Sequence, residues 1–379
     1  MNKIKKVIRL LIFKIFNTVY NIFGKIDDKR VLFVSDTSEN LKGNLEFVYN
    51  SIPDDINKVC ILYNKKQNPM NIKAIKAIAK ELAVSKYIFL DDMLDFTQIA
   101  KIDKSQELIQ LWHGAGAYKR FGFSRLKDSD ENIRIHTGYR KYTKAIVSSE
   151  SIRDCYAEAF DIAKDKVYAT GVPRTDAFFN QEHIKKVKER LYGTYPQLKD
   201  KKVVLFAPTY RSSKIDKAYY DFDKVDWQKL YDELGDEYII VTKWHPAIID
   251  SAQNGNITLP DFGKFKGSIE DMSNYKDVNE LLMITDVLIT DYSSIIFDYS
   301  LLQKPIVYYV YDKEEYNGSR GLYFDFNEYV YGVVVDDTTK LIDAIKAEDL
   351  FEDKRIAFNE KFMSACDGKS TQRVIKWVL

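Results

Sequence analysis

The sequence predicts an α/β protein of two Rossmann-like domains facing a central cleft, preceded by an amphipathic helix. Three observations lead there. Short β-rich runs alternate with helical stretches, which implies βαβ units and mainly parallel sheets. The alternation occurs twice, on either side of a polar, lysine-rich segment. Finally, 379 residues, at about 150 per domain, suit two domains of ordinary size better than one.

Composition narrows the functional classes. Hydrophobic residues make up 45% and charged residues 30%, which excludes a disordered, collagenous or polytopic membrane chain. With 57 basic and 56 acidic residues there is no global positive field to hold nucleic acid, and no nucleic-acid partner is expected. Cys60, Cys155 and Cys366 lie far apart without a CxxC pair, so neither a disulfide framework nor a cysteine zinc site is indicated. That usage fits a reducing cytosol.

Along the chain, residues 1–26 carry Lys3, Lys5, Lys6, Arg9, Lys14 and Lys25 and no acid. Ile4, Ile8, Leu11, Ile15, Val19 and Ile22 recur at helical spacing on one stripe, with most cations on the other side. Lys14, Asn17 and Asn21 interrupt the apolar run, so it reads as neither a signal peptide nor a bilayer span. Two readings stand: a helix lying on an anionic membrane surface, or a helix packed on its own domain. Next come strands at Val31–Val34, Val59–Tyr63, Tyr87–Leu90, Glu107–Trp112 and Ala145–Ser148, within a first domain at 27–185. Residues 186–200 are expected as linker. The second series, Val203–Phe206, Tyr238–Thr242, Val287–Thr290, Pro305–Tyr309 and Tyr331–Val335, builds a domain at 201–365, and residues 366–379 form a final helix packing on either half.

Chemistry concentrates where strands end. The run DVLITDYSSIIFD, from Asp286 to Asp298, closes an apolar strand at Thr290 and Asp291 and opens a helix at Ser293 and Ser294. Hydroxyls and unsatisfied helix N–H groups converge there, an arrangement that binds phosphate; Asp298, one turn on, is spaced to reach a ribose hydroxyl. The same run also reads as an ordinary N-cap. His113 follows a strand and precedes Gly114 and Gly116, which let a ligand approach the backbone. A histidine so placed suits a general base near neutral pH. His245 ends a strand of the second half, before Pro246. His136 and His183 read as surface residues. No HxH or HxxxH spacing exists, so no histidine metal site is expected. Lys119, Arg120, Arg174, Arg211, Lys243 and Arg320 recur at strand ends and turns, where arginine suits bidentate phosphate contacts. The pairs Asp54-Asp55, Asp91-Asp92 and Asp336-Asp337 read as turn or surface pairs.

Trp112-His113-Gly114, Gly171-Val-Pro-Arg-Thr-Asp176, Ala207-Pro-Thr-Tyr-Arg211, Trp244-His245-Pro246, Ile289-Thr-Asp-Tyr-Ser-Ser294 with Phe297-Asp-Tyr299, and Arg320-Gly-Leu-Tyr-Phe-Asp325 together resemble the CDP-glycerol glycerophosphotransferase family of teichoic acid synthesis. The match in order and spacing runs from about residue 107 to the carboxyl terminus. The resemblance implies a GT-B-like fold and peripheral attachment to the cytoplasmic face of the cell membrane. It also implies transfer of glycerol phosphate from CDP-glycerol to a lipid-linked saccharide or polyol-phosphate acceptor, releasing CMP. By the same resemblance His113 is the base and His245 faces the donor diphosphate. Ser293 and Ser294 cradle that diphosphate, Asp298 contacts the ribose, and Gly114, Lys243, Thr290 and Asp291 complete the binding residues. Arg211 and Arg320 are expected to neutralise developing charge. No carboxylate cluster demands a metal, although a divalent cation could assist. Where many members carry Thr-Pro after His-Gly, this chain has Ala115-Gly116-Ala117, a variant associated with members of different acceptor or donor. A long extra amino-terminal region is lacking, which favours a primase or single-addition enzyme. The alternatives are a CDP-ribitol ribitolphosphotransferase, a UDP-sugar glycosyltransferase releasing UDP, and a non-catalytic polymer-binding assembly protein.

Overall fold

The structure is a computed structural model that describes residues 3–64, 70–128, 136–212, 217–313, 316 and 321–378. The chain divides into two compact units, Met1–Asp176 with Phe362–Leu379, and Ala177–Lys361.

The first unit holds a seven-stranded sheet of β1 (Asp27–Ser35), β2 (Thr37–Ser38), β3 (Asn57–Asn64), β4 (Ser85–Leu90), β5 (Glu107–Gln110), β6 (Lys144–Ile146) and β7 (Val167–Tyr168). Its order is β2-β3-β1-β4-β5-β6-β7. Every pairing is parallel except β2 with β3. Val31, Leu32, Phe33 and Val34 of β1 are buried, as a strand covered on both faces requires. Helix α1 (Lys3–Phe23) packs on α3 (Ile72–Val84). Its Phe13 stacks on Phe96 with ring centroids 4.5 Å apart, and its buried Asn17 donates to the Ala79 carbonyl at 3.2 Å. The opposite face leaves Ile8, Leu11, Ile15, Val19 and Ile22 exposed, which is the apolar stripe read from the sequence. Among the described residues, no helix is long and apolar enough to cross a membrane.

The carboxyl-terminal segment returns to this unit. Gly171 has φ +80°, and a Cβ there would sit 2.2 Å from the Ala365 carbonyl, so only glycine admits that close approach. Asp176 accepts from the Ser370 and Thr371 N–H groups at 3.0 and 2.8 Å, satisfying the start of the helix Ser370–Ile375.

The second unit begins with α5 (Gln181–Thr194) and carries a six-stranded, wholly parallel sheet. Its strands are β8 (Lys202–Phe206), β9 (Tyr238–Thr242), β10 (Ile269–Asp271), β11 (Val287–Thr290), β12 (Ile306–Tyr309) and β13 (Val333–Val335), in the order β10-β9-β8-β11-β12-β13. Its core gathers Val204, Phe206, Trp244, Ile240, Ile289 and Val307.

Three strands escape the sequence reading. β2, β7 and β10 are two or three residues long, too short to show a period. The expected linker at 186–200 also differs: most of it is α5, within the second unit. Val187 and Leu191 bury one face of that helix, so its lysine-rich composition is a solvated helix surface.

Candidate functional site

In a parallel sheet all strands end on one edge, so the loops that follow them gather there. In the first unit that edge brings together Ser35 at the end of β1 with Asp36 beyond it, Asp91 and Asp92 after β4, and Trp112 and His113 after β5. Trp112 adopts φ +53°, a left-handed conformation rare for a bulky side chain. Its N–H donates to Gln110 Oε1 at 2.8 Å, and its ring stacks on Phe121 at 4.7 Å and packs edge-on against Phe160. Beyond it, Ser148 Oγ accepts from the Gly116 N–H at 3.1 Å and the Tyr156 hydroxyl donates to the Gly116 carbonyl at 2.8 Å. The loop is therefore rigid on both sides of His113.

His113 projects outward with 59% of its side chain exposed, its Nδ1 3.9 Å from Asp92 Oδ1. Desolvation by the protein on the inner side of the ring disfavours the charged form, and the Arg174 guanidinium adds to this. Together they hold the pKa below the ordinary histidine value, against the pull of Asp92. The neutral imidazole that results can accept a proton. Behind it, buried Asp91 accepts from Ser35 Oγ at 3.0 Å, and burial raises its pKa to about 6. A Cβ on Gly114 would meet nothing nearer than Trp112 Cδ1 at 4.0 Å, so the backbone there is open to a ligand.

In the second unit, Trp244 is buried among Phe206, Tyr220, Phe222 and Trp227 and anchors the turn that carries His245. His245 Nδ1 accepts from the Ala247 N–H at 3.1 Å, capping α7 (Pro246–Gln253). In the neutral ring this places the proton on Nε2, which then serves as a donor. Lys243 Nζ donates to the Ser273 and Tyr275 carbonyls, both at 2.6 Å, so it braces the adjoining loop. Thr290 Oγ1 donates to the Ala207 carbonyl at 2.7 Å. Ser293 Oγ accepts from the Ile295 N–H at 3.3 Å, and Ser294, opening α9 (Ile295–Ser300), is exposed.

Several expectations need correction. Arg211 was read as a cation facing substrate, but it is 6% exposed and bonded to both Asp291 and Asp312. Asp291 in turn accepts from the Thr209 N–H and Oγ1 and from the Tyr292 N–H. Four tyrosine rings, of Tyr220, Tyr292, Tyr311 and Tyr316, lie 5.1–5.5 Å from the guanidinium. Burial disfavours this charge, and the two carboxylates more than restore it. Arg211 and Asp291 thus fasten the loops after β8, β11 and β12 to one another. Asp298 is likewise 6% exposed, whereas Ser294 at the helix start is exposed. Arg320 lies outside the described residues. His136, read as a surface residue, is buried with Nε2 3.6 Å from Asp95, whereas His183 stands half-buried near the start of α5.

The pair Asp91-Asp92, read as a turn or surface pair, is corrected as well: Asp91 is buried and Asp92 stands beside His113. The strand-end logic applied to His113 would have found Asp92, since Tyr87–Leu90 ends two residues before it.

A family model described as CDP-glycerol:poly(glycerophosphate) glycerophosphotransferase matches residues 15–379. The chain belongs to this glycerophosphotransferase family. Among its relatives, the teichoic acid poly(ribitol-phosphate) polymerase of Bacillus spizizenii is 38% identical over 379 residues, covering 99% of this chain and 60% of that protein. The ribitol-phosphate polymerase TarL of Staphylococcus aureus is 35% identical, covering 97% of this chain and 65% of its own length. This glycerophosphotransferase-family chain thus spans less than two thirds of either polymerase. It spans 95% of the teichoic acid glycerol-phosphate primase of B. spizizenii, at 29% identity and 98% of this chain. The wall teichoic acid polymerase TagF has the same fold, with a TM-score of 0.78 at 22% identity over 100% of this chain and 98% of that one. A UDP-GlcNAc 2-epimerase from Neisseria meningitidis shares the fold more distantly, at a TM-score of 0.53 and 12% identity, covering 92% of this chain and 98% of its own.

Proposed function

We propose that this chain transfers a polyol phosphate from a CDP-activated polyol to a hydroxyl of a membrane-borne, lipid-linked acceptor, releasing CMP. One observation carries the reading: in a member of the glycerophosphotransferase family, His113 stands solvent-accessible, 3.9 Å from Asp92, on a strand-end loop braced on both sides. The acceptor hydroxyl gives its proton to the His113 imidazole as its oxygen forms a bond to the phosphorus bearing the polyol. The bond from that phosphorus to the bridging oxygen breaks, and the electron pair leaves on CMP. His245, whose Nδ1 is held as an acceptor, donates from Nε2 to the donor diphosphate, and the exposed Ser294 hydroxyl contributes on the same unit. Positioning and charge stabilisation carry most of such a barrier reduction.

The family description supports glycerol as the polyol. Relatives at 34–38% identity are ribitol-phosphate polymerases, which supports ribitol as the second reading. The exposed apolar stripe of α1, flanked by cations, supports attachment to an anionic cytoplasmic leaflet. The test is CMP release from CDP-glycerol and CDP-ribitol, side by side, with a lipid-linked acceptor. His113→Ala is expected to lose at least about 100-fold in kcat. Turnover close to wild type in that variant, or UDP release from UDP-sugars instead, would sink the proposal.

A further inference from the structure

The strand-end loop that presents His113 is held from behind by one buried side chain outside every motif noted in the sequence. Asn44, in the first turn of α2 (Gly43–Ser51), is 3% exposed. Its Nδ2 donates to the Leu111 carbonyl at 3.2 Å and to the Trp112 carbonyl at 2.8 Å. Its Oδ1 accepts from the Arg174 N–H at 3.0 Å. One carboxamide thus uses both donors and its acceptor to join α2, the end of β5 and the turn Gly171–Asp176.

The Trp112 carbonyl is the atom that matters most. With φ at +53°, this residue sits in a left-handed conformation that a bulky non-glycine residue keeps only where surrounding contacts hold it. The Asn44 bond fixes the peptide between Trp112 and His113, and so fixes the direction in which the imidazole leaves the backbone. Gln110 holds the other side of the same residue, through the Trp112 N–H. We propose that Asn44 is a positioning residue for the transfer reaction: it locks the left-handed Trp112 peptide so that His113 stands against Asp92 and toward solvent. This rests on the reading of His113 as the base, and goes beyond it by assigning the group that sets the base's orientation.

Asn44→Ala and the milder Asn44→Ser are the variants to measure, in the full chain. Polyol-phosphate transfer is expected to fall about 100-fold in kcat, as sub-ångström to ångström misplacement of a reacting group produces. KM for the CDP-polyol should stay within about twofold, because the proposed donor-facing residues belong to the other unit. A second readout needs no substrate. The chain has four histidines, and the His113 ring signals in an NMR titration should shift in position and in apparent pKa, with those of His245 unchanged. If wild type releases no CMP while the His113 signals still move in both variants, the function is misread and the positioning role survives. Unchanged kcat with unmoved His113 signals would overturn the proposal. So would a collapse of folding in both variants, which would make Asn44 a structural residue only.

Discussion

His113 acts as a base only while neutral, and the groups around it set that range. Arg174 and the surrounding protein depress its pKa, whereas Asp92 raises it; Asp91, with a pKa of about 6, and Asp36 share the same sheet edge. A base with a pKa below 6.5 loses activity as pH falls through that pKa, so the acidic limb of kcat/KM is expected below pH 6.5. Asp92→Asn removes the carboxylate that pulls the imidazole toward its charged form. The limb should then move to lower pH, by about one unit, in a pH–rate profile. Arg211 presents the opposite case, a charge that is fully enclosed. Arg211→Ala strands Asp291 and Asp312 without their partner, and a buried carboxylate left uncompensated costs about 3–5 kcal/mol. Urea unfolding should report that loss.

Each element shows its character in which face it buries. On α1, Phe13 is buried against Phe96, while Leu11 and Ile15 are 56% and 63% exposed. Phe13→Ala should therefore destabilise the fold by about 3–5 kcal/mol. Leu11→Glu with Ile15→Glu should leave the melting temperature nearly unchanged and abolish co-sedimentation with vesicles of anionic lipid. Retained vesicle binding by the double variant would argue that the stripe serves another purpose. Periodicity made this stripe legible, because a helix repeats its exposed face every turn. The same logic failed on α5, where a polar face was read as linker, since composition does not distinguish a solvated helix from a loop.

At the scale of the whole molecule, the first unit is built from both ends of the chain. Met363, Cys366 and Val374 are buried, and Ser148 Oγ donates to the Phe362 carbonyl at 2.7 Å. Deleting residues 363–379 should lower the apparent melting temperature by more than about 10 °C, whatever the chemistry of the site. Alternation of short apolar strands with helices, repeated twice, determined the α/β class and the two parallel sheets, because period and length are local properties that a chain carries with it. Motif spacing likewise determined that His113 and His245 end strands. Only the tertiary structure decided that Arg211 and Asp298 are buried, that Asp92 stands beside His113, and that Asn44 grips the Trp112 peptide. Those facts depend on which strand ends become neighbours, and β1, β4 and β5 meet through pairings between residues tens of positions apart, which no local pattern encodes.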